Sequence, residues 1–230
     1  MTIPQRALAI ATLILAAAAV AAPAHATPPD EVDQTLLVPT TLDSSFAPFI
    51  CKTKRTGPVC KGERHLVADW APADWPCGPP VYGASKEDRW TTRYYTTDYL
   101  NHDRRFRTHN VDYLSTSATG PATAIIRSNA RFREPFGVPG DDSTITVITT
   151  GTIWDIRSVA SRPIFRAVGT LVEPPNAGPT FTGHVTVDGV TTDYNAAPLD
   201  AFFTDDAFVG WVCRALMGRA GSADRGRSWS

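Results

Sequence analysis

Four cysteines constrain the fold of this chain more than any other feature of its sequence. An even number of cysteines is typical of an exported protein whose thiols are joined in disulfides, and four of them allow three different pairings. Cys51 and Cys60 enclose a short loop with a natural turn at residues 56–58. If these two are joined, Cys77 pairs with Cys213, which would tie the start of a β-rich region to the end of the chain.

The first 26 residues have the three parts of a secretory signal peptide. Arg6 supplies the positive region, an apolar run follows, and Ala24-His25-Ala26 has the small residues of a cleavage site. The apolar run is too short and too rich in alanine to favour a membrane span. We therefore expect cleavage after Ala26 and a secreted, extracellular protein, with a retained N-terminal anchor as the alternative.

The overall charge excludes a general affinity for polyanions. The chain has 22 Lys and Arg against 23 Asp and Glu, for a net charge of −1 with the histidines neutral. Loss of Arg6 with the signal peptide would make this −2. Such a charge attracts the protein neither to nucleic acid nor to an anionic membrane, so recognition by charge would need a local patch.

The chain from residue 77 onward has the pattern of β-strands, with frequent Thr, Tyr, Val and Trp. Asp188-Gly189 is the dipeptide that a two-residue type I′ hairpin turn prefers. Gly151 interrupts one alternating segment, where we expect a bulge or bend. Strands are predicted within residues 89–99, 111–132, 143–157, 163–172 and 180–195.

The two ends of the chain predict other kinds of structure. Residues 27–76 are rich in proline and predict an irregular segment, in which two Asp-Trp pairs cover an open end of the core or stack on a carbohydrate. Residues 204–218 predict a helix, with Thr204 as its N-cap and Gly218 as its stop. Residues 219–230 predict a disordered tail.

Eight or nine strands followed by one helix predict a mostly β fold. We expect an antiparallel β-barrel, or a sandwich, of about eight strands over residues 77–218, with the C-terminal helix packed on it. Closure into a barrel would remove the exposed strand edges that invite aggregation.

Short motifs in this domain resemble those of uncharacterised secreted actinobacterial proteins. Cys77-Gly-Pro-Pro-Val81 resembles their Cys-Gly-Phe-x-Val opening, Thr116-Ser-Ala-Thr-Gly120 their Thr-Asn-x-x-Thr-Gly turn, and residues 146–154 their Thr-Val-x-x-x-Gly-x-Trp strand. Residues 212–216, Val-Cys-Arg-Ala-Leu, are similar to their closing Leu-Cys-x-x-Leu. The resemblance covers about residues 77–217.

The resemblance implies a barrel-like antiparallel fold closed by a bridge between Cys77 and Cys213. It implies no activity, because that group has no established function. Pro79 stands where the group has an aromatic residue, and Cys51 and Cys60 are an additional pair.

The sequence contains none of the common nucleotide, metal or hydrolase motifs. Gly-x-Gly-x-x-Gly, the Walker loop, His-Glu-x-x-His, Cys-x-x-Cys and Gly-x-Ser-x-Gly are absent from it. We therefore expect no cofactor and no bound metal. Asp141-Asp142 lacks the further oxygen ligands that calcium needs and predicts an ordinary turn.

His184 and Asp193 are the candidate catalytic residues. Around a two-residue turn at Asp188-Gly189 they lie directly opposite each other, and a carboxylate beside an imidazole can form a general base. The alternative is an ordinary cross-strand polar pair, since no nucleophile is identifiable near them.

Residues 101–110 are a second polar segment. They hold two histidines, His102 and His109, and three arginines around Asp103. This segment indicates a pocket rim or an anion site, or else a solvated strand.

A basic segment surrounds the first two cysteines. Residues 51–65 hold five basic residues against Glu63 alone, and these are the candidate ligand-binding residues Lys52, Lys54, Arg55, Lys61 and Arg64. The segment is either a structural clip or a loop that adheres to an anionic cell-wall polymer.

Together these patterns favour a secreted, non-catalytic binding or envelope-associated module. Its expected partner is an unknown small ligand or a cell-envelope polymer, not nucleic acid. The alternatives are a barrel enzyme, a hydrolase or isomerase using a His/Asp pair, and adhesion through the basic segment. The sequence does not predict an oligomeric state.

Overall fold

The structure is a computed structural model that describes residues 32–39, 44–46, 48–159 and 162–218. The predicted signal peptide and the predicted disordered tail lie outside the described residues. Within them, nine β-strands and one α-helix form a mostly β fold, as predicted. The strands are β1 Ile50–Lys54, β2 Gly57–Ala73, β3 Val81–Tyr95, β4 Asn101–Ser115, β5 Ala124–Pro135, β6 Val147–Ser158, β7 Pro163–Glu173, β8 Thr180–Val187 and β9 Val190–Pro198, and the helix is α1 Asp205–Leu216.

The nine strands form one antiparallel sheet, in which each strand pairs with the next along the chain. β1 and β9 are its edges, so the sheet of the described chain is open, and the predicted closure into a barrel is not observed. α1 packs against β5, β6 and β7. The helix therefore covers the core on the side where the opposite strands of a closed barrel would lie.

The N-terminal strands correct the prediction that residues 27–76 are irregular. β1 and β2 form a hairpin, and β2 alone has 17 residues. Pro58 lies beside the turn of this hairpin, and Pro72 lies beyond Lys61, where β1 no longer pairs with β2. Proline is tolerated beside a turn and where a strand lacks a neighbour on one side, so these prolines did not prevent a strand.

Both predicted disulfides are present. Cys51–Cys60 joins β1 to β2, and Cys77–Cys213 joins the segment before β3 to α1. The helix begins after Thr204, whose Oγ1 accepts a hydrogen bond from the Ala207 N–H at 3.2 Å, as the sequence predicted. Among the described residues, no helix is both long and apolar enough to span a membrane.

Two apolar clusters lie on the same face of the sheet, which we call the inner face. The larger lies under α1, where the Trp211 ring stacks on Phe165 with 3.9 Å between ring centroids. Burial of each such ring contributes about 2–3 kcal/mol. The smaller joins the N-terminal residues to β1–β3 and consists of Val32, Leu37, Phe46, Phe49, Cys51, Cys60 and Tyr95.

A row of glycines crosses the sheet beneath the larger cluster. Gly151, Gly169 and Gly183 are directly paired on β6, β7 and β8. A Cβ on Gly169 would lie 2.2 Å from the carbonyl oxygen of Thr182, so only glycine permits this approach of two backbones. The sheet has a register irregularity one residue after Gly151, where the sequence predicted a bulge.

Candidate functional site

The structure separates the five basic residues that the sequence placed in one loop. Residues 51–65 form a regular hairpin, and the side chains of Lys52, Lys54 and Lys61 are exposed on the outer face, opposite the inner one. Arg55 lies in the turn. Arg64 points inward instead. Its side chain is 12% exposed and donates to Glu87 and, at 2.9 Å, to the Ser45 Oγ.

His184 and Asp193 lie directly opposite each other, as the hairpin register predicted. The His184 Nδ1 is 2.5 Å from the Asp193 Oδ1, and the two side chains are 67% and 80% exposed. His65, His102 and His109 are exposed as well. All four histidines in the described part of the chain are thus exposed to solvent, and the catalytic role of His184 and Asp193 stays a prediction.

The outer face of β4 and β5 carries a square of four exposed arginines, which we call the arginine quartet. Arg105 is directly opposite Arg133, and Arg107 is directly opposite Arg131. Side chains opposite each other on antiparallel strands have Cβ atoms about 5 Å apart, and those two residues apart on one strand about 7 Å. Like charges in these positions repel, which opposes folding wherever no carboxylate lies between them.

Only part of the charge of the quartet is neutralised. Asp103 has a buried carboxylate, which accepts from the Arg105 Nε at 2.9 Å and from the Arg133 Nε at 3.2 Å. This hydrogen bond raises the pKa of Arg105. Arg107 and Arg131 make no ion pair with any described residue. The quartet thus presents about three uncompensated positive charges to solvent.

Aromatic rings lie beside the quartet on the same face. The Arg107 Cζ is 5.7 Å from the ring centroid of Trp90, a residue that is 38% exposed. The Arg105 Cζ is 4.8 Å from that of Tyr94. These cation–π contacts hold the guanidinium groups in place without neutralising them.

The quartet is the centre of a larger basic surface, the outer face of β1–β5. Counting residues by strand register gives nine basic against three acidic residues, a net charge of +6 on a chain whose total is −1. The basic residues are Lys52, Lys54, Lys61, Lys86, Arg105, Arg107, Arg127, Arg131 and Arg133, and the acidic ones are Glu63, Asp88 and Asp103. Sequence reasoning missed this surface, because the register of five strands assembles it.

The inner face of β3 and β4 carries a polar strip that the sequence also did not reveal. Burial raises the pKa of the Asp112 carboxyl to about 6, a hydrogen bond from Asn110 at 2.9 Å opposes the shift, and the charge of Glu87 adds to it. Glu87 itself is paired with Arg64. A buried carboxyl with a raised pKa marks either a functional group or a stability cost.

Comparison with known proteins adds no family to these observations. No protein-family model, curated protein or solved structure matches this chain. The resemblance of residues 77–217 to secreted actinobacterial proteins therefore stays a prediction.

Proposed function

We propose that this protein is a secreted, non-catalytic binding module that holds an anionic cell-envelope polymer on the outer face of β1–β5. The two directly opposed arginine pairs carry the proposal. Like charges across a strand pair cost stability in the free protein, and a bound polyanion would remove that cost. This surface takes the binding role that the sequence analysis gave to the basic segment of residues 51–65.

The shape of the surface favours a polymer over a small ligand. Five strands spaced about 4.8 Å apart make a face about 19 Å across, and its basic side chains are spread over that width. Several anionic groups along one chain could each meet an arginine or lysine. Guanidinium groups form paired hydrogen bonds with phosphate and carboxylate, the anionic groups of such polymers.

The exposed aromatic residues favour a polymer built on sugars. Trp90 lies between the quartet and His65, whose ring meets it edge-on at 6.1 Å. A tryptophan face suits the apolar side of a sugar ring, while the arginines beside it bind charged substituents.

The two disulfides support a place outside the cell. Disulfides persist in oxidising compartments, and both cysteine pairs of this chain are joined. An exported protein meets envelope polymers at the point where it leaves the cell.

The test measures retention of the purified mature chain on an isolated phosphate-bearing cell-wall polymer, at increasing sodium chloride. The variant Arg107→Gln/Arg131→Gln removes two charges from the quartet. We expect the affinity to fall at least tenfold. The slope of log affinity against log salt should also become shallower by about 2, because each arginine removed reduces by about one the number of counterions released on binding.

The matched control is Arg166→Gln/Arg214→Gln, which removes two charges outside the quartet, on β7 and α1. Equal loss from the control, or retention that salt does not change, would overturn the proposal. A single-stranded oligonucleotide serves as competitor, since arginines beside aromatic rings also suit nucleic acids. If that oligonucleotide binds more tightly than the polymer, nucleic acid takes the place of the polymer as the inferred partner.

A further inference from the structure

The long strand β2 has a stretch of edge with no neighbouring strand. β1 pairs with β2 only as far as Lys61, and no other strand among the described residues pairs with this edge at residues 62–73. On the inner side, the one-turn helix Ser44–Phe46 reaches β2 at Gly62. We call residues 63–69 the open edge, since β2 has a register irregularity where they end.

The backbone groups of alternate residues point out of the open edge. Cys51 and Cys60 are directly opposite each other, with their Cα atoms 4.0 Å apart. So short a spacing is typical of a non-hydrogen-bonded antiparallel pair, in which the N–H and C=O of Cys60 point toward β3. Because this direction alternates along a strand, the N–H and C=O of Glu63, His65 and Val67 point away from β3. They offer hydrogen bonds to a further strand.

The open edge also exposes two large aliphatic side chains. Leu66 is 46% exposed on the inner face, and Val67 is 74% exposed on the outer face. The opposite edge of the sheet, β9, is less regular although its Val190 is 70% exposed. Ala196 there has a φ of 49°, and Pro198 has no backbone N–H. Of the two edges, the open edge of β2 is therefore the better template for pairing.

The charges along the open edge make it complementary to itself. When two copies pair as antiparallel strands with the two-fold axis at Val67, His65 of each copy lies opposite Asp69 of the other. An axis at Leu66 would instead place Glu63 opposite Asp69, where like charges repel. An axis at His65 would place two histidines opposite each other. A surface that matches a second copy of itself is what a two-fold dimer requires.

We infer that this protein forms a two-fold dimer in which the open edges of two copies pair as antiparallel strands. Val67 meets its own copy at the axis, and Leu66 of each copy packs on Ala68 of the other. The Nδ1 of His65 is 2.7 Å from the Asp88 Oδ1, so its Nε2 faces the Asp69 carboxylate of the second copy. The two sheets become one continuous sheet.

The dimer also bears on polymer binding. A two-fold axis perpendicular to the sheet keeps both outer faces on the same side, so the two basic surfaces adjoin. A polymer that reaches both gains from the second contact without any new kind of interaction. This consequence rests on the proposed function, whereas the dimer itself does not.

Analytical ultracentrifugation of the purified mature chain, from 1 to 200 µM, tests the dimer. We expect the wild type to dimerise in this range. Val67→Lys places two like charges opposite each other at the axis, and we expect it to raise the dissociation constant about tenfold or more. The matched control is Val190→Lys, which changes a valine of similar exposure on β9 and should dimerise as the wild type does. Thermal unfolding confirms that each variant is folded.

Cysteine substitutions test the register. Val67→Cys places two thiols opposite each other on strands whose Cα atoms are about 5.5 Å apart, a spacing that suits a disulfide. We expect mild oxidation to give covalent dimers on non-reducing electrophoresis. His65→Cys lies four residues from its counterpart and should give none, and Val190→Cys, outside the interface, should give none either.

Three results would overturn the dimer. They are a wild type that stays monomeric up to 200 µM, equal weakening by Val190→Lys and Val67→Lys, and equal cross-linking of His65→Cys and Val67→Cys. Assemblies that grow beyond the dimer would also overturn it, because they would indicate head-to-tail pairing of the open edge with β9.

Polymer retention tests the consequence separately. Val67→Lys adds a positive charge to the basic surface, so charge alone would strengthen its retention. We expect it to be retained more weakly than Val190→Lys, because it has lost the second copy. Equal or stronger retention of Val67→Lys would overturn this consequence and leave the dimer as measured by ultracentrifugation.

Discussion

Arg104 and Arg105 are neighbours in the chain and lie in opposite environments. The Arg104 side chain is 12% exposed and lies between two carboxylates on the inner face, whereas that of Arg105 is 54% exposed and lies opposite another arginine. Strand alternation alone separates them. The same residue type therefore contributes to structure on one face and to a charged surface on the other.

The two faces of β3–β5 differ in how their charges are compensated. On the inner face, Arg64 is paired with Glu87, and Arg104 with Glu134 and Asp142. On the outer face, Asp103 pairs with Arg105 and Arg133, whereas Arg107 and Arg131 make no ion pair with a described residue. A buried charge that loses its partner is strongly destabilising, while uncompensated exposed charge is a smaller cost that a bound partner can remove. Substitutions on the inner face should therefore act mainly on stability, and those on the outer face mainly on binding.

The largest effect is expected on the inner face. Glu134→Ala would remove the carboxylate directly opposite Arg104 on β5 and leave that buried guanidinium with Asp142 as its remaining ion-pair partner among the described residues. We expect a loss of about 3–4 kcal/mol in the free energy of unfolding, because removing one partner of a buried ion pair is strongly destabilising. Urea unfolding at pH 7.5 measures it. Glu63→Ala, which removes an exposed glutamate from the outer face, should change stability by no more than about 0.5 kcal/mol. If the two variants lose similar amounts of free energy of unfolding, the two faces do not differ in how their charges are compensated.

The next effect concerns Asp112. Its pKa is about 6 in the folded protein, against an ordinary value of 3.8, so the folded state holds its proton to higher pH than the unfolded state does. Stability contributed by this group therefore falls as pH rises from about 4 to 6 and stays low above that range. We expect Asp112→Asn to be more stable than the wild type by about 2 kcal/mol at pH 7.5 and equal to it near pH 3.5.

Unfolding in urea at these two pH values checks that prediction. The Asn110 amide can donate to the new side chain as it does to the carboxylate, so the variant keeps its hydrogen bond. A gain at pH 7.5 that persists unchanged at pH 3.5 would mean that ionisation of Asp112 is not its cause.

Local features of the fold were predictable from the sequence because neighbouring residues determine them. Asp188-Gly189 fixed the register of β8 and β9, and Thr204 marked the start of α1. The two disulfides followed from the short loop between Cys51 and Cys60, which left one remaining pair. The open sheet was not predictable in this way, since closure depends on whether the first and last strands meet.

The candidate sites were harder to predict from the sequence than the local features of the fold. Residues 101–110 were identified as a possible anion site, but Arg131 and Arg133, which complete the quartet, lie on another strand. Asp112 is flanked by Val111 and Tyr113 and has no local feature that signals burial. His184 and Asp193 were correctly paired, yet both side chains are in solvent. Pairing is a local property, whereas burial and charge balance depend on the whole sheet.

The smallest effect is expected on the outer face, and its sign tests the comparison most directly. Arg131→Glu changes the pair with Arg107 from like to opposite charges, and we expect a gain of about 0.5–1 kcal/mol in stability at low salt. Retention on the anionic polymer should fall in the same variant. Arg166→Glu is the reverse case, because Arg166 lies opposite Asp155 on β6, and it should lose stability. Thermal unfolding in 20 mM and 500 mM sodium chloride measures both, and high salt should reduce both differences. If Arg131→Glu lowers stability at low salt, the quartet is not under electrostatic strain, and a bound polyanion would have no repulsion to relieve.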